Sequence, residues 1–281
     1  MSDISSPEQT AIRYKPKDLF PSPEAVIEHF QPDAWGKDRF GNRFFSSRDL
    51  AYTDRSDQHS VKAGLLVSPA GENFIKTNPH ILRDISRGLA TATGDSFAGY
   101  PKDFVEISPG RKIKHLNSGG QSAVFIMETG ESKYLVKIKK GVAPGFVDVT
   151  QPYTNEMLQV QSLAADLEPN LKELGVRLPD YLFASPVVAV RKYEEGEEST
   201  EVEINEKFRQ LNELVRNYIS DQRSNGNSLW KHILVDMRSP LGDLRTQNFI
   251  RNHQGELVWI DPVYYSSKKD TGILTFTKSM V

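Results

Sequence analysis

The chain has 281 residues, of which 38% are hydrophobic and 26% charged, with 35 basic and 37 acidic side chains and no cysteine. This is the composition of a globular protein with a core, and the near balance of charge gives no reason to expect nucleic acid or a membrane as a partner. The lack of cysteine excludes disulfides, thiolate catalysis and cysteine-ligated zinc, and without a signal-peptide pattern we expect a cytoplasmic location.

The N-terminal third carries no recognisable motif. Residues 1–20 are polar and interrupted by prolines, which predicts a flexible arm. Residues 21–110 are predicted to form an N-terminal extension that packs on the remaining chain, with aromatic-rich loops around Phe44, a strand from Ala63 to Val67 and a helix from Pro79 to Leu89. A platform for a substrate or partner is the alternative use of this region.

A three-stranded antiparallel meander is predicted next, with strands from Ile113 to Leu116, Ala123 to Glu128 and Tyr134 to Lys139. Its first turn, from Asn117 to Ser122, contains two glycines. Small residues in such a turn let backbone amides approach phosphate groups closely. Taken in isolation, this stretch is explained more simply by a plain hairpin turn without a ligand.

Lys137 is a lone cation in an apolar strand, on the same face as Leu135. An ammonium group that faces inward requires an anionic partner. The following predicted helix places Glu156 on one apolar stripe with Val160 and Leu163. The pattern therefore predicts a strand lysine facing a helix glutamate, unless one of the two side chains extends to solvent.

The middle of the chain continues with mixed elements. Two strands are predicted, from Tyr181 to Phe183 and from Pro186 to Val190, followed by a connection from Arg191 to Gly196. The acidic stretch from Glu194 to Glu203 is predicted to be a solvated loop. An amphipathic helix then runs from Ile204 to about Arg223.

The stretch from Leu241 to Tyr265 carries the strongest chemical signal. It contains Asp243, then Asn248 five residues later, then a hairpin whose second apolar strand ends at Asp261. An aspartate can accept a proton from a hydroxyl group, and carboxylate and amide oxygens suit Mg²⁺.

The order of these features along the chain resembles that of the protein-kinase-like phosphotransferases. The features are, in sequence, the glycine-bearing hairpin, the strand lysine, the helix glutamate, the segment D-L-R-T-Q-N and the closing aspartate. The resemblance implies an α+β, bilobal fold with an antiparallel-sheet N-lobe and a reduced helical C-lobe. This minimal kinase-like domain would occupy residues 111–281, after the N-terminal extension. It also implies ATP and Mg²⁺ as cofactors.

The resemblance assigns a role to each candidate residue. Asp243 would orient and deprotonate the acceptor hydroxyl, Arg245 would stabilise the transferring phosphoryl group, and Asn248 with Asp261 would hold Mg²⁺. Lys137 would neutralise the α- and β-phosphates. The residues predicted to bind the nucleotide are Asn117, Ser118, Gly119, Gly120, Gln121, Ser122, Val124, Lys137 and Glu156.

Several positions depart from the usual kinase pattern. Leu241 and Gly242 replace the His-Arg before the catalytic aspartate, so we expect no control through activation-loop phosphorylation. Pro262 and Val263 replace the Phe-Gly after the metal-binding aspartate. Only 20 residues follow Asp261, which we expect to be too few for a full helical lower lobe.

The segment from Ile260 to Gly272, with its D-P-V, K-K-D and G residues, is similar to the early serine/threonine protein kinase of autographivirus-type podophages. That resemblance implies a phage-encoded Ser/Thr kinase with host proteins as substrates. The D-P-V-Y-Y residues also resemble the fructosamine-kinase and aminoglycoside-phosphotransferase relatives, which act on small molecules. A pseudokinase binding module is the third alternative, and the oligomeric state is not predicted.

Overall fold

The computed structural model describes residues 37–53, 60–85, 103–118, 122–139, 153–185, 188–198, 201–230, 248–260 and 262. The strands are β1 (Arg43–Thr53), β2 (Ser60–Val67), β3 (Val105–Ser108), β4 (Arg111–Ser118), β5 (Ser122–Thr129), β6 (Ser132–Lys139), β7 (Val176–Arg177), β8 (Tyr181–Ala184), β9 (Val188–Lys192), β10 (Gly196–Glu198), β11 (Phe249–Asn252) and β12 (Leu257–Trp259). The helices are α1 (Pro69–Thr77), α2 (Tyr153–Asp166), α3 (Glu168–Glu173), α4 (Glu201–Ser224) and a single 3₁₀ turn, Ser228–Trp230. Residues 81–85 are also helical.

A large antiparallel sheet dominates the described part of the chain. Its strand order is β1-β2-β8-β9-β6-β5-β4-β3, and each pair of neighbours is antiparallel. The predicted meander is present as β4-β5-β6, and the two predicted strands that follow it are present as β8 and β9. The α+β class with a large antiparallel sheet is therefore confirmed.

A second, four-stranded sheet has the order β10-β11-β12-β7, in which only the β12-β7 pair is parallel. The prediction of a solvated loop from Glu194 to Glu203 is wrong, because this stretch contains β10 and α4 begins at Glu201. Gly196 permits the β10 pairing: a Cβ atom there would lie 2.2 Å from the Arg251 carbonyl oxygen. The side chains of β10 are nevertheless exposed, which is why their acidic character resembles that of a loop.

Two hydrophobic cores lie on opposite faces of the large sheet. Successive side chains of β6 point to opposite faces of this sheet. Val136 and Ile138 belong to the first core, whereas Lys137 faces α2 on the other side. The first core is covered by α1 and the helical residues 81–85. The second core joins the sheet to α2, α4 and the small sheet, and it contains Trp230 and Trp259.

The N-terminal third contributes directly to the large sheet. Aromatic-rich loops were predicted around Phe44, but Phe44 lies in β1 and its neighbour Phe45 is buried in the first core. Strand β1 was not recognised in the sequence, because its pairing with β2 is irregular between Ser46 and Ala51. Such an irregularity interrupts the alternation of inward and outward side chains that predicts a strand. Helix α1 was also not predicted, although Ser68 caps it by accepting a hydrogen bond from the Gly71 amide, 3.0 Å away.

Other predictions for this third have mixed outcomes. The predicted strand ending at Val67 is confirmed as β2, and the helix predicted from Pro79 is present over residues 81–85. The arm predicted for residues 1–20 lies outside the described residues, and the division at residue 110 stays a prediction. Within the described ranges, no helix combines the length and apolar character that a bilayer crossing would need.

Candidate active site

Lys137 and Glu156 form a buried ion pair between the large sheet and helix α2. The Lys137 Nζ atom lies 3.1 Å from Glu156 Oε1, and the two side chains are only 6% and 3% exposed. Lys137 is central in the sheet, since its neighbours are Val124 on β5 and Ala189 on β9. The contact predicted from the sequence is therefore present.

Tyr181 on β8 completes the environment of Glu156. Its hydroxyl group donates a hydrogen bond to the same Oε1 atom that contacts Lys137. Complete burial and the neighbouring Glu156 carboxylate raise the pKa of Tyr181 well above its ordinary value, so the phenol keeps its proton and acts as the donor. Glu156 is thus oriented by two donors from two different strands.

Tyr153, in the first turn of α2, links this pair to the predicted phosphate-binding turn. Its hydroxyl oxygen lies 2.6 Å from the Ser122 hydroxyl oxygen, and its ring centroid lies 5.7 Å from Lys137 Nζ. Ser122 opens β5 directly after the turn. The structure therefore brings one end of the turn, the strand lysine and the helix glutamate together.

The other predicted nucleotide-binding residues are only partly described. Asn117 and Ser118 end β4, where Asn117 pairs with Val124 of β5 after an irregularity in the register. The turn predicted from Asn117 is therefore shorter than expected, because both of these residues belong to the strand. Gly119, Gly120 and Gln121 lie outside the described residues.

Asn248, one of the two predicted metal-binding residues, lies directly before strand β11 at the open end of the β11-β12 hairpin. Phe249 pairs with Trp259, their rings stack with centroids 5.7 Å apart, and the amide of Ile260 donates to the carbonyl of Asn248 at 2.8 Å. Asn248 thus lies opposite Ile260, the residue that precedes Asp261 in the sequence. Asp261, Asp243 and Arg245 themselves lie outside the described residues.

Arg191 joins this hairpin to the large sheet. Its side chain is buried on β9, its Nη1 group donates a hydrogen bond to the Ile260 carbonyl, and its guanidinium lies 5.9 Å from the centroid of the Tyr181 ring. The prediction that Arg191 lies in a connection is wrong, because β9 extends to Lys192. The missed signal was a cation that continues the apolar run V-A-V, the same pattern that identified Lys137.

The described residues fit a phosphate-bearing ligand through their chemistry. The Lys137 ammonium supplies a positive charge and Ser122, linked to it through Tyr153, supplies a hydroxyl group, and both groups suit anionic oxygens. No cluster of three or more His, Asp or Glu side chains suited to a metal occurs among the described residues. Of the predicted Mg²⁺ ligands, Asn248 alone lies in that part of the chain, and its amide oxygen suits Mg²⁺.

Comparison with known proteins gives limited similarity. No family profile and no curated protein matches the chain. The chain is similar to Rv3197 of Mycobacterium tuberculosis, solved with erythromycin, at 14% identity over 63% of this chain and 50% of that one, with a TM-score of 0.29. It is also similar to APH(2")-IIa, solved with streptomycin and ATP, at 15% identity over 53% of this chain and 65% of that one, with a TM-score of 0.23. The chain thus spans half to two thirds of the length of these structures, and similarity of this degree assigns no function.

Proposed function

We propose that this chain is an ATP- and Mg²⁺-dependent phosphotransferase in which Lys137 contacts the nucleotide phosphates. The observation that carries the proposal is the buried Lys137–Glu156 pair, 3.1 Å apart, which Tyr153 links to Ser122 at the start of β5. Burial of two opposite charges contributes little to stability compared with apolar packing of the same volume. A functional requirement for an oriented ammonium group explains why the sheet contains one at its centre.

We assign the described residues separate roles in binding the nucleotide and in orienting the groups that bind it. Lys137 would place a positive charge against the phosphate oxygens, and Glu156 orients that lysine through their hydrogen bond. Tyr181 and Tyr153 hold Glu156 and the end of the turn, respectively. When bound, ATP would supply the phosphoryl group and Mg²⁺ would screen the negative charge of its phosphates.

The reacting end of the site is proposed from the sequence. Asp243 would take the proton of the acceptor hydroxyl, and Arg245 would stabilise charge on the transferring group. Asn248 and Asp261 would hold Mg²⁺ at the end of the β11-β12 hairpin. The 2.8 Å hydrogen bond from the Ile260 amide to the Asn248 carbonyl supports this part of the proposal, because Ile260 immediately precedes Asp261 in the sequence.

The finer assignment is a Ser/Thr protein kinase that is encoded by a phage and modifies host proteins. It rests on the resemblance of the segment from Ile260 to Gly272 to early phage kinases. A small-molecule kinase has the same phosphate-binding requirements, so the acceptor class is the part of the proposal that experiment must decide.

A bacterial lysate incubated with labelled ATP tests this proposal. We expect the wild-type chain to label proteins on Ser or Thr, identified by mass spectrometry, and the Asp243→Ala variant to lose this labelling. Asp221→Ala serves as the matched control, because Asp221 is exposed on α4. Label in low-molecular-weight compounds alone would instead identify a small-molecule kinase. A lack of label together with a lack of nucleotide binding would contradict the phosphotransferase itself.

A further inference from the structure

Arg191 has an unusual environment for an arginine. The residue is only 4% exposed, although arginine is among the residues least often buried. Its partners within the described part of the chain are both uncharged, namely the carbonyl oxygen of Ile260 and the ring of Tyr181. Burial of a guanidinium group against uncharged partners is costly. An apolar side chain on β9 would fill this space without that cost, so packing alone does not explain the residue.

The contacts of Arg191 connect the two ends of the candidate site. On one side, its guanidinium lies over the Tyr181 ring, and the Tyr181 hydroxyl donates to Glu156, the partner of Lys137. On the other side, it donates to the carbonyl of Ile260. The peptide unit that begins at Ile260 is therefore attached to the sheet that holds the strand lysine.

The Ile260 backbone is in turn fixed to Asn248. The Ile260 amide donates to the Asn248 carbonyl at 2.8 Å, so Arg191 and Asn248 hold Ile260 through its carbonyl and its amide group. The planar guanidinium is suited to this task because its donors have a fixed geometry.

From this geometry we propose that Arg191 is a positioning residue, which fixes the end of the β11-β12 hairpin, and with it Asn248, relative to the Lys137–Glu156 pair. The inference rests on the proposed function, since it concerns how the predicted Mg²⁺-binding end is aligned with the phosphate-binding lysine. The inference predicts that loss of the Arg191 contact affects nucleotide binding with Mg²⁺ and nucleotide binding without Mg²⁺ differently. Loss of the Arg191 contact should weaken the binding of nucleotide with Mg²⁺ while nucleotide alone still binds at Lys137.

The experiment measures nucleotide affinity by calorimetry, once with Mg²⁺ and once with a chelator, for wild type and variants of the full chain. In Arg191→Met, we expect the gain in ATP affinity on addition of Mg²⁺ to fall by about 10- to 100-fold, the usual effect of removing a group that orients a metal ligand. ATP affinity in chelator should stay within about twofold of wild type, the level of one weak contact. Arg191→Lys keeps a donor and a charge, so we expect its gain in ATP affinity on addition of Mg²⁺ to lie between those of wild type and Arg191→Met.

Lys192→Met is the matched control. Lys192 is the next residue on β9, but its side chain is 55% exposed and contacts Asp180 at the surface. This variant removes a basic group from the same strand without touching Ile260. We expect it to show the wild-type gain in affinity. Thermal unfolding of each variant, followed by circular dichroism, establishes which of them are folded.

The outcomes separate this inference from the proposed function. If wild type binds ATP more tightly with Mg²⁺ and folded Arg191→Met shows the same gain, the positioning role is wrong and the phosphotransferase proposal stands. If Arg191→Met loses ATP binding in chelator as well, Arg191 supports Lys137 and not the hairpin, which also overturns the inference. If Arg191→Met does not fold, Arg191→Lys decides: an unchanged gain contradicts the role and a reduced gain supports it. A wild-type chain that binds no nucleotide overturns the proposed function and the inference with it.

Discussion

The ion pair between Lys137 and Glu156 makes each of the two residues dependent on the other for stability. Their side chains are 6% and 3% exposed, so removal of either charge would leave the other buried without its ion-pair partner. Lys137→Met should therefore lower the free energy of unfolding by about 3–5 kcal/mol, the usual cost of breaking a buried pair. The double variant Lys137→Met, Glu156→Leu removes both charges and should recover most of this loss. Urea denaturation measures the differences, and a Lys137→Met chain as stable as wild type would contradict the burial of the pair.

Sequence patterns identified this pair, but they did not identify the residues that hold it. Lys137 and Glu156 each break an apolar pattern, which is visible in one strand and one helix separately. Tyr181 gave no such signal, because a tyrosine is ordinary in a buried strand and its hydroxyl partner lies 25 residues away in α2. The role of Arg191 depends on a contact 69 residues away, which no local pattern contains.

At the scale of elements, helix α1 lies unusually close to strand β8. The Ser68 amide donates to the Leu182 carbonyl at 2.9 Å, and the Ser68 hydroxyl donates to the carbonyls of Tyr181 and Leu182. Gly71 permits this approach, since a Cβ atom there would lie 1.9 Å from the Leu182 carbonyl oxygen. The start of α1 is thus fixed to the strand that also carries Tyr181.

This close approach predicts that Gly71→Ala destabilises the protein. Alanine is the better helix former by about 1 kcal/mol in an exposed helix, but here the added methyl group would collide with backbone that cannot move without displacing β8. Asn73→Ala is the control in the same helix, where the side chain is exposed and we expect a neutral or slightly stabilising effect. Thermal unfolding compares the two variants. A Gly71→Ala chain that melts above wild type would contradict the contact.

Helix α1 is also tied to β1 through Glu72, which gives a pH-dependent contribution. Burial alone would raise the pKa of the Glu72 carboxyl, but the hydrogen bond from Lys76 and the charge of Arg43 outweigh it and lower the pKa from its ordinary value of 4.5. A carboxyl whose pKa is lower in the folded state stabilises the protein above the unfolded-state value, and this contribution disappears as the pH falls through the folded-state pKa.

The expected consequence is that Glu72→Gln lowers the free energy of unfolding at neutral pH, and that the difference from wild type shrinks as the pH falls below about 4.5. Glu131→Gln is the control, since Glu131 lies exposed in the β5-β6 turn and we expect little effect at either pH. Urea denaturation at several pH values measures both. A difference that grows towards acid pH would contradict the lowered pKa.

At the scale of the whole molecule, the large sheet joins distant parts of the chain. The meander β4-β5-β6 is local and was predicted from alternation and turns. The pairing of β2 with β8 and of β6 with β9 joins strands separated by long stretches of sequence, and nothing in either strand specifies its partner. For this reason, the sequence could indicate an antiparallel sheet. It could not indicate that β1 and β2, from the N-terminal third, would add two strands to that sheet.

The second sheet shows the same limit. The hairpin β11-β12 was predictable from two short apolar runs around a turn at Gly255. Its neighbours in the sheet were not predictable, because β10 has only three residues, two of them acidic, and β7 has only two residues. β7 is placed by Val176, which belongs to the second core with Trp230 and Trp259, and β10 is placed by its backbone pairing with β11. The described part of the candidate site draws on strands, a helix and a hairpin from distant parts of the sequence, so its local parts could be predicted and their assembly could not.

Thermal unfolding with and without ATP and Mg²⁺ tests the central claim, that the Lys137–Glu156 pair binds nucleotide phosphates and is not only structural. Ligand that binds the folded state stabilises it by about 2.7 kcal/mol at 100 times its dissociation constant, which raises the melting temperature by several degrees. The double variant Lys137→Met, Glu156→Leu is the informative comparison, because it is expected to fold without the pair. We predict a rise for wild type and none for the double variant. An equal rise in both would contradict the claim.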